Sequence, residues 1–394
     1  MRNSRIAGLV MWAACGTLLV TGAALEAQSS ARQGAKVVNS FDDPNWRATQ
    51  AAWRPYTREE MMSAKSLDIP AVSEATLQQW AQDQLSGAVY DTKGGPQADP
   101  GGLPGGVKAP AVAAEFSVAD PVAAALGPVE RLGYGYPAPY TRYESFPSYT
   151  TYPYSTVGKV FFTIPGQGTY VCSASSIGGD AVIIAAHCVQ DGTTGQFYTN
   201  WSFVPAYKNG ATPYGQWSAN YLWVNGAYKN GNDGDLRYDT GGAVLNRRNG
   251  QKLSSAVGFL GFAWNQSTNS TSAHWALIGY PQAAPFNGKL QYVCQASYAY
   301  SYGGSSPSPI GVGCDQTGGT SGGPWIRNFA GVAGATNYCN GVNSFRRCFD
   351  ANCNSLYTQE LFSPYFDNST KKLKDCLVNS TPGHPANSNT CAPQ

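Results

Sequence analysis

From about Ser155 to its end the chain is broken into short runs rich in Val, Ile, Tyr, Phe and Trp. They include Val157 to Ile164, Tyr170 to Ile177, Ala181 to Ala186, Ala243 to Leu245, Trp275 to Gly279 and Leu290 to Val293. Asn-Gly pairs (Asn209-Gly210, Asn225-Gly226, Asn249-Gly250), Gly-Gly pairs and prolines separate them. Runs of this length with turn residues between them are the pattern of antiparallel β structure, barrel or sandwich. Residues 155–394 therefore suit two small β domains side by side, and only Leu356 to Leu377 reads as a helix. Composition agrees: charged residues are 13% of the chain, against 45 Gly and 25 Pro, so long solvated helices are excluded. An apolar fraction of 42% with 12% aromatics can fill a sizeable core, which excludes disorder throughout. The near balance of 26 basic and 24 acidic residues argues against a nucleic-acid binder relying on a basic face.

The first 154 residues have a different texture. Arg2 and Arg5 precede the apolar stretch Ile6 to Leu25, and Ala27 is followed by polar Gln28-Ser29-Ser30, the layout of a cleavable signal peptide over residues 1–27. An uncleaved anchor is the rival, since about 20 apolar residues can span a bilayer, but Gly8, Gly16, Thr17, Thr21 and Gly22 interrupt the stretch. No later segment is long and apolar enough to span, so a secreted, extracellular protein with no membrane contact after signal removal is expected. Cys15 lies inside the signal, leaving nine cysteines in an oxidising setting where disulfides form. Nine is odd, so one should be unpaired or joined to another chain. Residues 28–154 contain no cysteine. Thr57 and Glu60 form a capping box that opens a short helix, and Leu77, Trp80, Ala81 and Leu85 recur at helical spacing. Lys93 to Pro110 reads as a Gly/Pro linker.

Three islands could carry chemistry. Val182-Ile183-Ile184-Ala185-Ala186-His187-Cys188 runs a buried-strand pattern straight into one of only three histidines. A general base must be held rigidly, and a strand end braced by a disulfide does that. Cys172, 16 residues earlier on the preceding strand pattern, is the evident partner of Cys188. Cys294 with Cys314 is the next expected pair. The second island places Asp239, with Asp233 and Asp235 as competitors, just ahead of the apolar run Ala243-Val244-Leu245. A carboxylate there can fix an imidazole's tautomer and orientation. In the third, Gly319-Thr320-Ser321-Gly322-Gly323-Pro324 surrounds a serine with glycines, a backbone able to aim a hydroxyl and the Gly319 and Ser321 N–H groups at one point. Each island alone also fits a bland role: a core histidine, a turn-capping aspartate, a hairpin loop.

Taken in order, the three islands resemble the His, Asp and Ser motifs of chymotrypsin-like (trypsin-like) serine endopeptidases, with intervals of 52 and 82 residues that also suit the family. The resemblance runs from Ser155 to the region of Cys376. It implies an all-β fold of two perpendicular six-stranded antiparallel barrels with a C-terminal helix, and an active site between them. It implies further that His187 is the general base, Asp239 its orienter, Ser321 the nucleophile, and the Gly319 and Ser321 N–H groups the oxyanion hole. Two departures stand out. Thr320 replaces the Asp that precedes the serine in animal trypsins, and no Ile-Val-Gly-Gly-like sequence lies near the expected domain start. Val157 to Phe162 leading into Tyr170-Val171-Cys172, with Asp315 to Gly319, looks more like the microbial branch related to glutamyl endopeptidases. That makes residues 28–154 look like a propeptide preceding a protease domain at 155–394. Asp315, six residues before Ser321, lies where trypsin-like enzymes place the carboxylate that pairs with a substrate Arg or Lys. Acid-specific pockets of the related branch use a histidine after the serine, and here only His384 follows. The expected partners are protein or peptide substrates, the expected state a monomer, and no cofactor or metal is expected, since the scattered histidines lack a His-x-x-x-His spacing. Two alternatives stand beside this reading: an α/β-hydrolase-type esterase, whose nucleophile elbow Gly319 to Gly323 also matches, and an inert protease homologue acting as a binding module.

Overall fold

The structure is a computed structural model that describes residues 37–86, 90–106, 129–131, 136–228, 234–267, 273–302, 308–330 and 337–391. The signal peptide read over residues 1–27, Asp233, and the linker's end at 107–110 lie outside the described residues.

Strands Val157–Ile164, Gly168–Gly178, Ala181–Ile184, Gly241–Leu245, Trp217–Val224 and Thr199–Pro205 pair antiparallel in that spatial order, and the last returns to the first. These six strands thus close into a barrel, and Val38–Asn39 and Lys65–Ser66 add to it along Trp217–Val224 and Gly168–Gly178. Local sequence explains the corners. At Asn209-Gly210 both residues take positive φ (48° and 84°), and Lys208 and Ala211 exchange backbone hydrogen bonds of 3.2 and 2.8 Å. This is the two-residue turn whose twist matches that of the strands it joins. Trp201, Phe203 and Leu222 on one face of the sheet and Phe161 and Trp223 on the other are all fully buried. Each such side chain contributes about 1.5–3 kcal/mol by leaving water. The Trp201 indole N–H is satisfied by the Cys188 carbonyl at 3.2 Å.

The second half is built from two sheets. One has seven strands in the order Gln97–Asp99, Gly261–Trp264, Tyr338–Val342, Pro324–Arg327, His274–Gly279, Tyr292–Ser297 and Thr141–Glu144. The other has four: Glu360–Ser363, Ile310–Gly313, Tyr300–Tyr302 and Val129–Arg131. Strands from before Ser155 therefore complete the edges of both sheets, although the sequence reads the start of that stretch as a linker. Their short, polar residues carry no β signal of their own; the exposed ladder of a neighbouring strand supplies it.

Ahead of them come helices Pro44–Ala51, which packs on the first barrel, Arg58–Ser63, and Glu74–Ser86, which packs on strand Tyr300–Tyr302. The first, which periodicity misses, is capped by Asp43 and starts with Pro44. Its Trp46 is buried and donates its indole N–H to the Tyr198 carbonyl at 2.9 Å. The second has the expected capping box of Thr57 and Glu60.

The C-terminal helix is Asn368–Asn379, shorter than the sequence reading of Leu356 to Leu377. Asp367 caps it, accepting from the Ser369 and Thr370 N–H groups at 2.9 and 3.1 Å. Glu360–Ser363 is instead a strand, because Glu360 is drawn inward by a buried ion pair with Arg347 at 2.5 and 2.6 Å. Disulfides join Cys172–Cys188, Cys294–Cys314, Cys348–Cys353 and Cys376–Cys391. Cys339 remains a buried thiol, its pKa pushed up to about 12 by burial. Among the described residues no helix is long and apolar enough to cross a membrane.

Candidate active site

His187 lies in a single helical turn, Ala186–Cys188, directly after strand Ala181–Ile184. The Cys172–Cys188 disulfide ties that turn to the neighbouring strand, with 6.3 Å between Cα atoms. Asp239 precedes strand Gly241–Leu245, whose Gly241 pairs with Ile184. One rung of the barrel thus brings together residues 52 apart in sequence. The Asp239 carboxylate is fully buried and grips His187 twice. Its Oδ2 lies 2.8 Å from Nδ1, and its Oδ1 accepts the His187 backbone N–H at 2.9 Å. A carboxylate only accepts, so in the neutral ring the proton sits on Nδ1 and leaves Nε2 its lone pair.

Ser344 donates its hydroxyl to the same Oδ2 at 2.5 Å. Burial alone would push the Asp239 carboxyl up. The charge of His187 and the hydrogen bonds from His187 and Ser344 outweigh it and hold the carboxyl below the usual carboxylate range. Asp235 serves elsewhere: it caps the turn Leu236–Tyr238 and is ion-paired to Arg237 at 2.7 Å.

Ser321 sits at the tip of the loop from Asp315 to Gly323, which is followed by strand Pro324–Arg327. A nucleophile elbow needs a helix there, so the α/β-hydrolase alternative is overturned. His384, the other requirement of that reading, lies in an exposed turn of the tail, exchanging backbone hydrogen bonds with Thr381.

The loop is pressed against the first barrel. A Cβ at Gly322 would come within 2.2 Å of Ile184 Cγ1 and 2.5 Å of the Ser173 carbonyl, so only glycine fits. Ser173 donates its N–H to the Ser321 carbonyl at 2.8 Å and its hydroxyl to the Gly319 carbonyl at 3.0 Å. From the other side Asn343 gives its amide N–H to Thr320 Oγ1 (2.8 Å) and to the Thr320 carbonyl (3.2 Å), while its Oδ1 accepts the Trp325 indole N–H at 2.8 Å. The Gly322 N–H donates to the Asn343 carbonyl at 2.8 Å. Thr320 also donates to Gln316 Oε1, whose amide nitrogen bonds the Leu277 and Tyr292 carbonyls. Ser173, Asn343, Gln316 and Ser344 escape sequence reasoning, because polar residues in β-rich sequence give no signal until the fold assembles them.

Gly319 has φ +96°, which turns its peptide and aims its N–H into the cleft. That N–H is occupied: it donates to the Leu67 carbonyl at 3.1 Å. Ser321 Oγ and His187 Nε2 are both shut off from solvent and do not hydrogen-bond to each other. Asp315 Oδ2 is ion-paired to Arg142 of strand Thr141–Glu144, a partner from within the chain. Among the described residues, the two groups close enough to hold a metal, Cys172/His187/Cys188 and Cys294/Cys314/Asp315, have their sulfurs bonded as disulfides.

No family model matches the chain. A glutamyl endopeptidase of Bacillus licheniformis is 24% identical over 216 residues, 51% of this chain, and the chain spans 63% of that relative's length. Among solved structures, the protease Anisep of Arthrobacter nicotinovorans is 33% identical (57% of this chain, 96% of that one, TM-score 0.46). The thermostable serine protease AL20 of an extremophilic microorganism is 32% identical (56% and 95%, TM-score 0.47). A third structure, a Glu endopeptidase in complex with MPD, is 16% identical (61% and 97%, TM-score 0.46). The chain is thus similar to proteases, a serine protease and a glutamyl endopeptidase among them, over about half of its length.

Proposed function

We propose that the chain is a secreted serine endopeptidase working through His187, Asp239 and Ser321. Ser321 Oγ attacks the scissile carbonyl while its proton passes to His187 Nε2. The carbonyl oxygen, now negative, is held by the Gly319 and Ser321 N–H groups. Collapse breaks the C–N bond, His187 gives the proton to the leaving amine, and the acyl group stays on Ser321 as an ester. Water then attacks that ester, again losing a proton to His187, and the acid and the free hydroxyl are released. Asp239 keeps the imidazole in the tautomer that leaves Nε2 basic and stabilises the imidazolium between the two proton transfers.

The observation that carries this reading is the buried Asp239 carboxylate bonded to both Nδ1 and the backbone N–H of His187. That leaves Nε2 as the ring's only basic atom. The Ser173 and Gly322 contacts that join the serine loop to the His187 barrel support it. The cysteine pairing and the basic-then-apolar amino terminus support export, with residues before the protease sheets removed on maturation. The substrates are proteins or peptides. Arg142 beside Asp315 speaks against a pocket selecting basic side chains. A fluorophosphonate added to protein secreted by a producing host should form one adduct, on Ser321, and none in Ser321→Ala. An adduct elsewhere, or none, would sink the reading.

A further inference from the structure

We propose that Lys65–Val72 is a built-in competitive inhibitor that crosses the cleft, paired parallel with a strand on each wall, and blocks Ser321; this rests on Ser321 being the nucleophile. The segment joins helices Arg58–Ser63 and Glu74–Ser86 and is bonded to both walls of the cleft. On one side Lys65 and Ser66 pair with Tyr170 and Val171, and the Leu67 N–H donates to the Val171 carbonyl at 3.3 Å. These partners immediately precede the disulfide-bonded Cys172. On the other side Ala71 and Val72 pair with Arg346 and Arg347, just beyond the Ser344 that holds Asp239. There the Arg346 N–H donates to the Pro70 carbonyl at 2.9 Å and the Cys348 N–H to the Val72 carbonyl at 3.0 Å.

Between the two ladders the Leu67 carbonyl receives the Gly319 N–H. This is the bond that a substrate carbonyl needs, so strap and substrate exclude each other. The fit is close: a Cβ at Gly318 would lie 2.8 Å from the Leu67 oxygen. Ile69 and Val72 are buried, Val72 in a cluster with Leu77, Phe345 and Phe362. Trp80 of the following helix meets Phe345 edge-on at 5.6 Å, and Asp83 pairs with Arg237 at 2.9 Å, two residues from Asp239. Gln282 Nε2 donates to the Ala64 carbonyl and its backbone N–H to the Gly318 carbonyl at 2.7 Å, so one residue holds both the strap and the oxyanion loop.

Two features leave the strap uncut. Its carbonyl takes the Gly319 N–H and, among the described residues, no bond from the Ser321 N–H, so it misses the second oxyanion donor. Ser321 Oγ is likewise not bonded to its base. Inhibition is thus confined to the helical part before residue 87, whereas strands Gln97–Asp99 and Thr141–Glu144 complete the protease sheet.

The test compares the full chain with full-length Ile69→Asp/Val72→Asp, which makes two buried anchors charged, and with full-length Leu67→Pro, which deletes the N–H donated to Val171. Two quantities are read: the rate of fluorophosphonate labelling of Ser321, and amide hydrogen exchange at Gly319, Arg346 and Cys348. Labelling at least tenfold faster in either variant, with the three amides losing protection, is expected. Equal labelling rates with the amides deprotected would overturn the inhibitor while leaving the nucleophile standing. Amides that stay protected while the parent chain labels as fast as the variants would overturn it as well. Deprotected amides with no labelling in any chain would bring down the nucleophile reading, and the inhibitor with it. Disulfide mapping of each variant confirms folding, and Leu67→Pro serves where the double variant does not fold.

Discussion

The half of the cleft that carries His187 and Asp239 is held differently from the half that carries Ser321. The first is a closed barrel of consecutive strands, cross-linked at Cys172–Cys188, with a buried carboxylate two bonds deep on the base. The second depends on side-chain amides, Asn343 and Gln316, that knit the serine loop from within, and its sheet edges are finished by chain from before Ser155. A covalent, locally closed support tolerates loss of a neighbour. A hydrogen-bonded one does not, because each missing partner orphans a buried group. The first half should therefore lose stability before rate, and the second rate before stability.

The largest effects strike both halves alike and set the scale. Ser321→Ala or His187→Ala should lower kcat on peptide substrates by roughly 10⁴ to 10⁶, and Asp239→Asn by about 10⁴. Activity within tenfold of the parent in Ser321→Ala would void the comparison.

Next comes Cys172→Ser/Cys188→Ser. Opening a loop with 16 residues of sequence separation should cost about 3 kcal/mol of unfolding free energy by the chain-entropy account, with kcat below the melting range changed only a few-fold. A rate loss exceeding the stability loss would reverse the assignment.

Asn343→Leu probes the other half. It removes both bonds to Thr320 and leaves the Trp325 N–H without an acceptor, at a cost of about 1–3 kcal/mol. Displacing the serine loop by as little as about 1 Å should lower kcat about 10²-fold. Chemical denaturation and single-turnover kinetics separate the two numbers.

The smallest effect is in acid. Asp239 titrates lower folded than unfolded, so its contribution to stability is fully present above the unfolded value of about 3.9 and is lost as pH falls through the folded value. Unfolding free energy measured from pH 5 downward should fall more steeply for the parent than for Asp239→Asn. Parallel curves would show that the carboxylate contributes nothing through its charge.

Legibility in the sequence follows the same division. His187, Asp239 and the Cys172–Cys188 pair stand out because each is welded to a strand pattern or to a cysteine spacing. Ser344 and Asn343 do not: serine and asparagine are ordinary loop residues, and their role exists only once Tyr338–Val342 lies beside Pro324–Arg327. Glu360 to Ser363 reads as helix because isolated apolar residues fit either period. The buried pair with Arg347 decides for strand. Arg142 could not be foreseen as the partner of Asp315, since the strand that carries it gains order only by pairing with Tyr292–Ser297.

The four disulfides close loops with separations of 16, 20, 5 and 15 residues, and none reaches back before Cys172. While the chain is continuous, the strap is a tethered ligand whose effective concentration, set by a short connection, is on the order of millimolar and independent of how dilute the protein is. One break in the peptide backbone between the strap and the protease sheets changes its molecularity. Nothing covalent then retains the released piece, and its hold on the cleft falls with every dilution. Latency would thus be insensitive to protein concentration before the cut and governed by it afterwards, so that dilution itself completes the activation.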